Sequence, residues 1–290
     1  MVAVSYPTTL AQALDTLASG EHILFAGGTD LMVRCRVRPN VPAEFHHHVV
    51  FTDRVAELKQ ISPAMSADGN LVRIGAAVTM AEALRSPLVP NLLKQSLSGI
   101  AAPALRNRAT LAGNICNASP AADTLPPLYL LDARVVLAKL GEQRTLPISE
   151  FILSPGKTAL TQGEMLTHIE LPQPSELPLC HYHKVGTRAA NALTKVAFAG
   201  LARIEAGIVT DWRVAFGAVA PTVVRDRALE ALVIGQPVSQ LSHPETGLCQ
   251  ELLHAYGQVV RPIDDQRSTA QYRHTTALNL LQRFNRLLVS

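Results

Sequence analysis

Leu24-Phe25-Ala26-Gly27-Gly28-Thr29-Asp30-Leu31 is the stretch on which the fold turns, together with Ala109-Thr110-Leu111-Ala112-Gly113-Asn114-Ile115 and its continuation Ser119-Pro120-Ala121-Ala122-Asp123. Each follows an apolar segment and leads into a helix start. Each offers small residues, open backbone N–H groups, and hydroxyl or amide side chains. Close backbone amides and a helix N-terminus both favour a polyanion, so the pair suits a pyrophosphate. Neither stretch follows the usual nucleotide patterns. A dinucleotide fingerprint would read G-x-G-x-x-G with an acidic residue about 20 positions on. A P-loop would end in Gly-Lys-Ser/Thr.

Outward from these stretches, the N-terminal part alternates helix and strand. Thr8 or Thr9 caps a helix carrying Leu10, Ala13, Leu14 and Leu17, and Gly20 stops it. Residues 22–25 read as a buried strand, 31–36 as a short helix and 49–51 as a second strand. Strands are expected at 58–61 and 71–75 across the turn Ala67-Asp68-Gly69-Asn70. Thr79 with Glu82 forms a capping box for a helix at 80–84. A further helix is expected over 92–101, ahead of Pro103. Residues 125–131 are apolar, and Asp123 could cap a helix there. Residues 135–140 and 144–147 read as a hairpin and 165–171 as a strand.

Leu171-Pro172-Gln173-Pro174-Ser175-Glu176-Leu177-Pro178 reads as a linker. Beyond it, 193–205 and 208–219 form a long antiparallel hairpin about Ala206-Gly207. Helices are expected at 228–234, 248–260 and 272–288. The fold class is α+β with an α/β N-terminal part, in two domains, 1–174 and 179–290.

The 290 residues are 48% hydrophobic, enough for two cores. A net charge of +3 and 4% aromatics supply neither the basic surface nor the stacking surface of a nucleic-acid binder. No apolar run approaches roughly 20 residues, and no basic region leads into an apolar core at the N-terminus, so a cytoplasmic protein without a membrane span is expected. Cys35, Cys116, Cys180 and Cys249 form no C-x-x-C unit, which disfavours a clustered metal site. The run His46-His47-His48 would point to alternate faces if extended, a poor metal set. No nucleophile elbow or H-E-x-x-H occurs. Lys184 and Arg188 by themselves read as a solvated charged face.

The chain resembles the FAD-binding, or medium, subunit of the molybdenum hydroxylase family, with xanthine dehydrogenase as the type. Ala26-Gly27-Gly28-Thr29-Asp30-Leu31 matches the first FAD loop of that family. Residues 105–117, Leu105-Arg106-Asn107-Arg108 through Gly113-Asn114-Ile115-Cys116-Asn117, match the second, continued by Ser119-Pro120-Ala121-Ala122-Asp123-Thr124-Leu125-Pro126. Phe216-Gly217-Ala218-Val219-Ala220-Pro221-Thr222 with Arg225 matches a signature of the C-terminal domain. Gly156-Lys157-Thr158 and His183-Lys184 with Arg188 fall at similar spacings.

The resemblance implies an FAD-binding domain of the PCMH/vanillyl-alcohol-oxidase-like type, followed by a small antiparallel sheet with helices. It implies FAD contacts at Phe25, Ala26, Gly27, Gly28, Thr29, Asp30, Leu31, Ala101, Thr110, Ala112, Gly113, Asn114, Ser119, Asp123, Leu166 and Lys184. Asp123 would accept from the cofactor's sugar, Leu166 would line its surroundings, and Lys184 would act near the flavin ring. The implied partners are a molybdopterin-binding large subunit and a 2Fe–2S small subunit, with NAD+ or another acceptor receiving the electrons. A carbon monoxide dehydrogenase or aldehyde-oxidising complex is the nearest alternative. Ala112 and Ala104 depart from the family's glycine and glutamine, which also leaves open an assembly subunit without flavin. No resident metal is implied, and no inserted iron–sulfur loop is present.

Overall fold

The computed structural model describes residues 2–36, 38, 40–67, 69–173, 179–188, 191–243 and 245–289. The elements begin β1 (Val4–Ser5), α1 (Leu10–Ala18), β2 (His22–Phe25), α2 (Leu31–Arg34), β3 (His48–Phe51), β4 (Ile61–Ser66), β5 (Gly69–Gly75), α3 (Met80–Arg85), α4 (Asn91–Ser98), α5 (Pro103–Arg106), α6 (Leu111–Cys116) and α7 (Leu125–Leu130). There follow β6 (Arg134–Lys139), β7 (Glu142–Pro147), α8 (Ile148–Phe151), β8 (Ile152–Ser154), β9 (Lys157–Thr158), β10 (Met165–Pro172), β11 (Leu179–Val185), β12 (Val196–Glu205), β13 (Ile208–Gly217), α9 (Arg227–Val233), α10 (Ser239–Ser242), α11 (Gly247–Val259) and α12 (Ala270–Leu287).

The described residues divide into two compact units. The first draws on 1–89, 101–118 and 132–173, the second on 90–100, 119–131 and 174–290. Two short N-terminal segments, carrying α4 and α7, therefore belong to the unit built mainly from the C-terminal part of the chain.

In the first unit, β1, β3 and β2 form a three-stranded parallel sheet in that order. Thr9 caps α1 by accepting from the Gln12 amide at 3.3 Å. The second sheet is five-stranded and antiparallel, ordered β4-β5-β10-β6-β7. The capping box of α3 is complete: Glu82 N donates to Thr79 Oγ1 and Thr79 N to Glu82 Oε2.

The second unit is built on the three-stranded antiparallel sheet β11-β12-β13. Helix α12 presents Ala277, Leu280, Leu281 and Phe284 to its core, an i, i+3, i+4 stripe that Leu288 continues just past the helix end. Phe198, Phe216, Trp212 and Tyr256 fill that core with full burial. Trp212 Nε1 donates to Asn285 Oδ1 at 3.2 Å, so the largest apolar side chain also has its polar atom satisfied.

Several expectations are corrected. Residues 58–61 are not a strand: Ala56–Lys59 form a 3₁₀ turn, because Val55 and Leu58 are buried at a spacing of three. The strand starts at Ile61 and tolerates Pro63 because β4 is an edge. Helix α4 ends at Ser98 rather than 101, since Ala101 has φ +47°, which no helix accommodates. Helix α2 stops at Arg34. The long hairpin starts at Val196 rather than 193 and gains a third strand, β11, whose polar sequence shows no alternation. The central linker residues, 174–178, and Asp68 of the expected turn lie outside the described residues.

Candidate functional site

Strand β2 ends at Phe25 and delivers the chain into the Ala26-Gly27-Gly28-Thr29-Asp30 turn. A Cβ on Gly27 would lie 2.1 Å from the Arg108 carbonyl oxygen and 2.9 Å from Ala109 Cα. The two glycine stretches therefore touch, backbone to backbone, and only glycine permits that approach. Gly28 has φ +71°, and a Cβ there would meet the Phe25 ring at 2.2 Å. That ring packs on Phe51 at 4.4 Å, and Phe51 stacks on Tyr6 at 4.8 Å. An aromatic stack thus supports the turn from beneath.

Among the described residues, the amides of Gly27, Gly28, Thr29 and Asp30 donate to no protein acceptor. Asp30 precedes α2 without a side-chain capping bond. Leu31 is the first helical residue. Gly27, Gly28 and Thr29 are half-buried and Asp30 is exposed; a run of open amides of this kind can take a bound acceptor.

On the second stretch, Met80 N donates to the Ala109 carbonyl at 2.8 Å. Thr110 Oγ1 accepts from Gly113 N at 3.0 Å, opening α6. Asn114 N donates to the Thr110 carbonyl at 3.2 Å. Ala112 is buried, so the methyl that departs from the family pattern is packed inside the unit. Ala101 is left-handed and its carbonyl accepts from Arg106 Nη1 at 2.8 Å. Leu166 is buried on β10 at a register shift between Leu166 and His168.

The second unit holds the other expected residues. Asp123 does not cap α7. Its Oδ2 accepts from Lys184 Nζ at 2.7 Å, and its Oδ1 accepts from the Tyr182 hydroxyl at 2.8 Å and the Thr194 hydroxyl at 2.6 Å. Lys184 Nζ also reaches the Gly99 carbonyl at 3.3 Å. The lysine is therefore a buried partner of Asp123 and not part of a solvated face. Burial, with the Asp123 carboxylate next in weight, pushes the Tyr182 phenol well above its ordinary value. Ser119 Oγ accepts from Ala121 N at 3.3 Å and shapes the turn before Asp123. Arg188 turns instead to the Asn191 carbonyl.

The 216–222 signature explains how Asp123 is held. Ala218 N donates to the Pro120 carbonyl at 2.9 Å. A Cβ on Gly217 would lie 2.9 Å from Pro126 Cγ. Arg225 donates to the Tyr129 carbonyl and grips Glu230 at 2.9 and 3.0 Å. Arg213 Nη1 donates to the Leu130 carbonyl at 3.0 Å. A motif late in the sequence thus anchors the segment that carries Asp123.

Sequence reasoning alone misses Tyr182, Thr194 and Gln95. Gln95 Oε1 accepts from Tyr182 N at 2.9 Å, and its amide nitrogen approaches Cys180 Sγ at 3.7 Å. Only the pairing of β11 places Cys180, Tyr182 and Lys184 on one strand face; the sequence itself carries no signal for them. Burial pushes the Cys116 thiol up to about 12 and also raises Cys180 and Cys249, which keeps these three thiols quiet. The histidine run diverges. His48 Nε2 lies 2.8 Å from Ser5 Oγ, while His47 faces Glu21 at 3.4 Å. Among the described residues, no group of three His, Cys, Asp or Glu side chains is placed to hold a metal ion, and no helix is long and apolar enough to cross a membrane.

A glycine-turned parallel α/β unit, a five-stranded antiparallel sheet and a three-stranded sheet with helices define an FAD-binding fold of the PCMH/vanillyl-alcohol-oxidase-like type with an added C-terminal domain. Residues 1–174 match the FAD binding domain in molybdopterin dehydrogenase, and residues 181–288 match the CO dehydrogenase flavoprotein C-terminal domain. The chain belongs to this family of FAD-binding molybdenum hydroxylase subunits, and FAD is its cofactor.

It is 29% identical to a putative xanthine dehydrogenase FAD-binding subunit of Escherichia coli, over 97% of this chain and 92% of that one. It is 26% identical to the carbon monoxide dehydrogenase medium chain of Hydrogenophaga pseudoflava, over 96% and 93%. A carbon monoxide dehydrogenase structure from that organism superposes with a TM-score of 0.85 at 26% identity, covering 97% of this chain and 95% of that one. The unpaired amides at residues 27–30 and the glycine-only contact at Gly27 fit a pyrophosphate-bearing cofactor.

Proposed function

We propose that this chain is the electron-transferring FAD subunit of a multi-subunit molybdenum hydroxylase of the xanthine dehydrogenase type. A molybdopterin-binding large subunit would hydroxylate the substrate, and a 2Fe–2S small subunit would deliver its electrons to this chain. FAD supplies the conversion between single-electron and two-electron transfer, with NAD+ or another acceptor receiving the pair. The single observation that carries the reading is the backbone cradle. In it, Gly27 of the turn Ala26-Gly27-Gly28-Thr29-Asp30-Leu31 packs on Arg108 and Ala109, which lead directly into Thr110, Ala112, Gly113 and Asn114.

In this reading the amides of residues 27–30 hold the pyrophosphate, with Phe25 supporting their turn. Thr110 and Asn114 bind beside them, while Ala101 and Leu166 line the flavin surroundings. In the second unit Ser119 shapes the Asp123 turn, and Asp123 accepts from the cofactor's sugar with its remaining lone-pair capacity. Lys184 supplies a cation near the flavin ring, favouring the anionic reduced form. The E. coli relative supports the xanthine type, and the matched family supports the subunit role; the carbon monoxide dehydrogenase relative supports the same role in a different complex.

Reconstitution tests it. Purified chain loaded with FAD, mixed with the molybdenum and iron–sulfur subunits and a purine, is expected to reduce NAD+, with no turnover when the chain is omitted. Lys184→Ala is expected to slow acceptor turnover while leaving FAD content near that of the parent. NADH oxidation with a soluble substrate by the isolated chain, without partners, would overturn the subunit reading.

A further inference from the structure

Asp123 and Lys184 form an ion pair with 8% and 15% of their side chains exposed. A carboxylate that deeply buried needs its lone pairs satisfied beyond one ion pair. Lys184 donates to Oδ2. Oδ1 is served by two neutral hydroxyls, Tyr182 at 2.8 Å and Thr194 at 2.6 Å. The hydroxyls arrive from different elements. Tyr182 lies on β11, two residues before Lys184 and on the same strand face, and Thr194 lies just before β12. Tyr182 is itself fixed, because its backbone amide donates to Gln95 on α4 at 2.9 Å. Thr194 is 2% exposed.

We propose that Tyr182 and Thr194 are positioning residues for Lys184. By donating to one oxygen of Asp123 they fix the plane of the carboxylate. The other oxygen then holds the ammonium at one point, in reach of the Gly99 carbonyl. The charge the second unit presents is therefore placed by two hydroxyls that need not touch any ligand. The consequence for flavin chemistry rests on the reading of Lys184 given above; the positioning itself rests on the hydrogen bonds. The proton inventory is consistent. A phenol pushed well above its ordinary value stays protonated and so remains a donor across the physiological range.

Two readouts on the full chain separate these claims. In the FAD-free protein, the acylation rate of Lys184 by an amine-specific reagent is followed by mass spectrometry. Thr194→Val and Tyr182→Phe each remove a donor with little change of shape and are expected to raise that rate several-fold. Thr194→Ser keeps the hydroxyl and is expected to stay at the parent rate. Unchanged or slower labelling in both hydroxyl-deleted variants overturns the proposal, as does a Thr194→Ser rate equal to that of Thr194→Val. In the FAD-loaded protein, the midpoint potential of the flavin is expected to fall in Lys184→Met and part-way in Thr194→Val and Tyr182→Phe. If labelling rises as expected but Lys184→Met leaves the potential unmoved, the positioning stands and the placement of Lys184 beside the flavin fails.

Discussion

The first unit carries a run of open peptide amides at residues 27–30, whereas the second carries a network of the side chains Asp123, Tyr182, Lys184 and Thr194. The two kinds of construction fail differently. An amide cradle depends on how closely two backbone segments approach, so an added methyl group damages it and a change of charge nearby matters less. A side-chain network depends on donors and acceptors at fixed distances, so it survives small steric changes and breaks when one hydroxyl is removed.

The largest expected effect is at Gly27. Gly27→Ala places a methyl against the Arg108 carbonyl, where neither partner is a flexible side chain. Near-complete loss of bound FAD is expected, with a destabilisation of about 3 kcal/mol; flavin absorbance and thermal unfolding check both. Stoichiometric FAD in that variant would show that the backbone approach is not needed for binding. Next is the anchor of the Asp123 segment. Arg225 and Glu230 are a buried pair with 7% and 9% of their side chains exposed. Arg225→Met leaves the carboxylate uncompensated and is expected to cost about 3–5 kcal/mol in urea unfolding. Its first unit should keep its own thermal transition if the two constructions are independent.

How much of this is legible in the sequence follows the same divide. The cradle can be read from Ala26-Gly27-Gly28-Thr29-Asp30 because a close backbone approach demands glycine, and glycine is visible as a letter. Helix α12 is equally legible, since Leu280, Leu281 and Phe284 repeat at helical spacing. The network cannot be read. Its members at 95, 123, 182, 184 and 194 are separated along the chain, and Tyr182 and Thr194 are ordinary residue types until β11 pairs with β12. The strand β11 itself escapes notice because Leu179-Cys180-His181-Tyr182-His183-Lys184-Val185 shows neither alternation nor an apolar run. Cys180, Tyr182 and Lys184 on it are engaged by partners distant in sequence. Nor can the role of Arg225 be read, because the carbonyl it binds, that of Tyr129, lies in a different part of the chain.

A smaller effect sharpens the contrast from the side-chain end within the first unit. Arg144 grips Glu164 through two bonds of 2.7 Å, holding its carboxyl at about 2 against an ordinary 4.5. A depressed carboxyl stabilises the fold fully above its unfolded value, and the contribution is lost as pH falls from about 4.5 towards 2. Glu164→Gln is expected to flatten the dependence of melting temperature on pH in that window and to leave FAD content at neutral pH unchanged. The smallest effect is at Gly207, a left-handed hairpin residue at φ +79°, where an added methyl would meet no atom within 4 Å. Gly207→Ala is expected to cost only local strain, about 1–2 kcal/mol, without loss of flavin. It serves as the control for Gly27→Ala.

On the proposed reading, the unpaired amides at residues 27–30 hold the cofactor by its pyrophosphate. ADP and adenosine differ only in that group, so their competition against bound FAD, in a calorimetric displacement titration of the full chain, isolates it. ADP is expected to displace FAD far more strongly than adenosine. Equal displacement by the two would contradict the amide cradle.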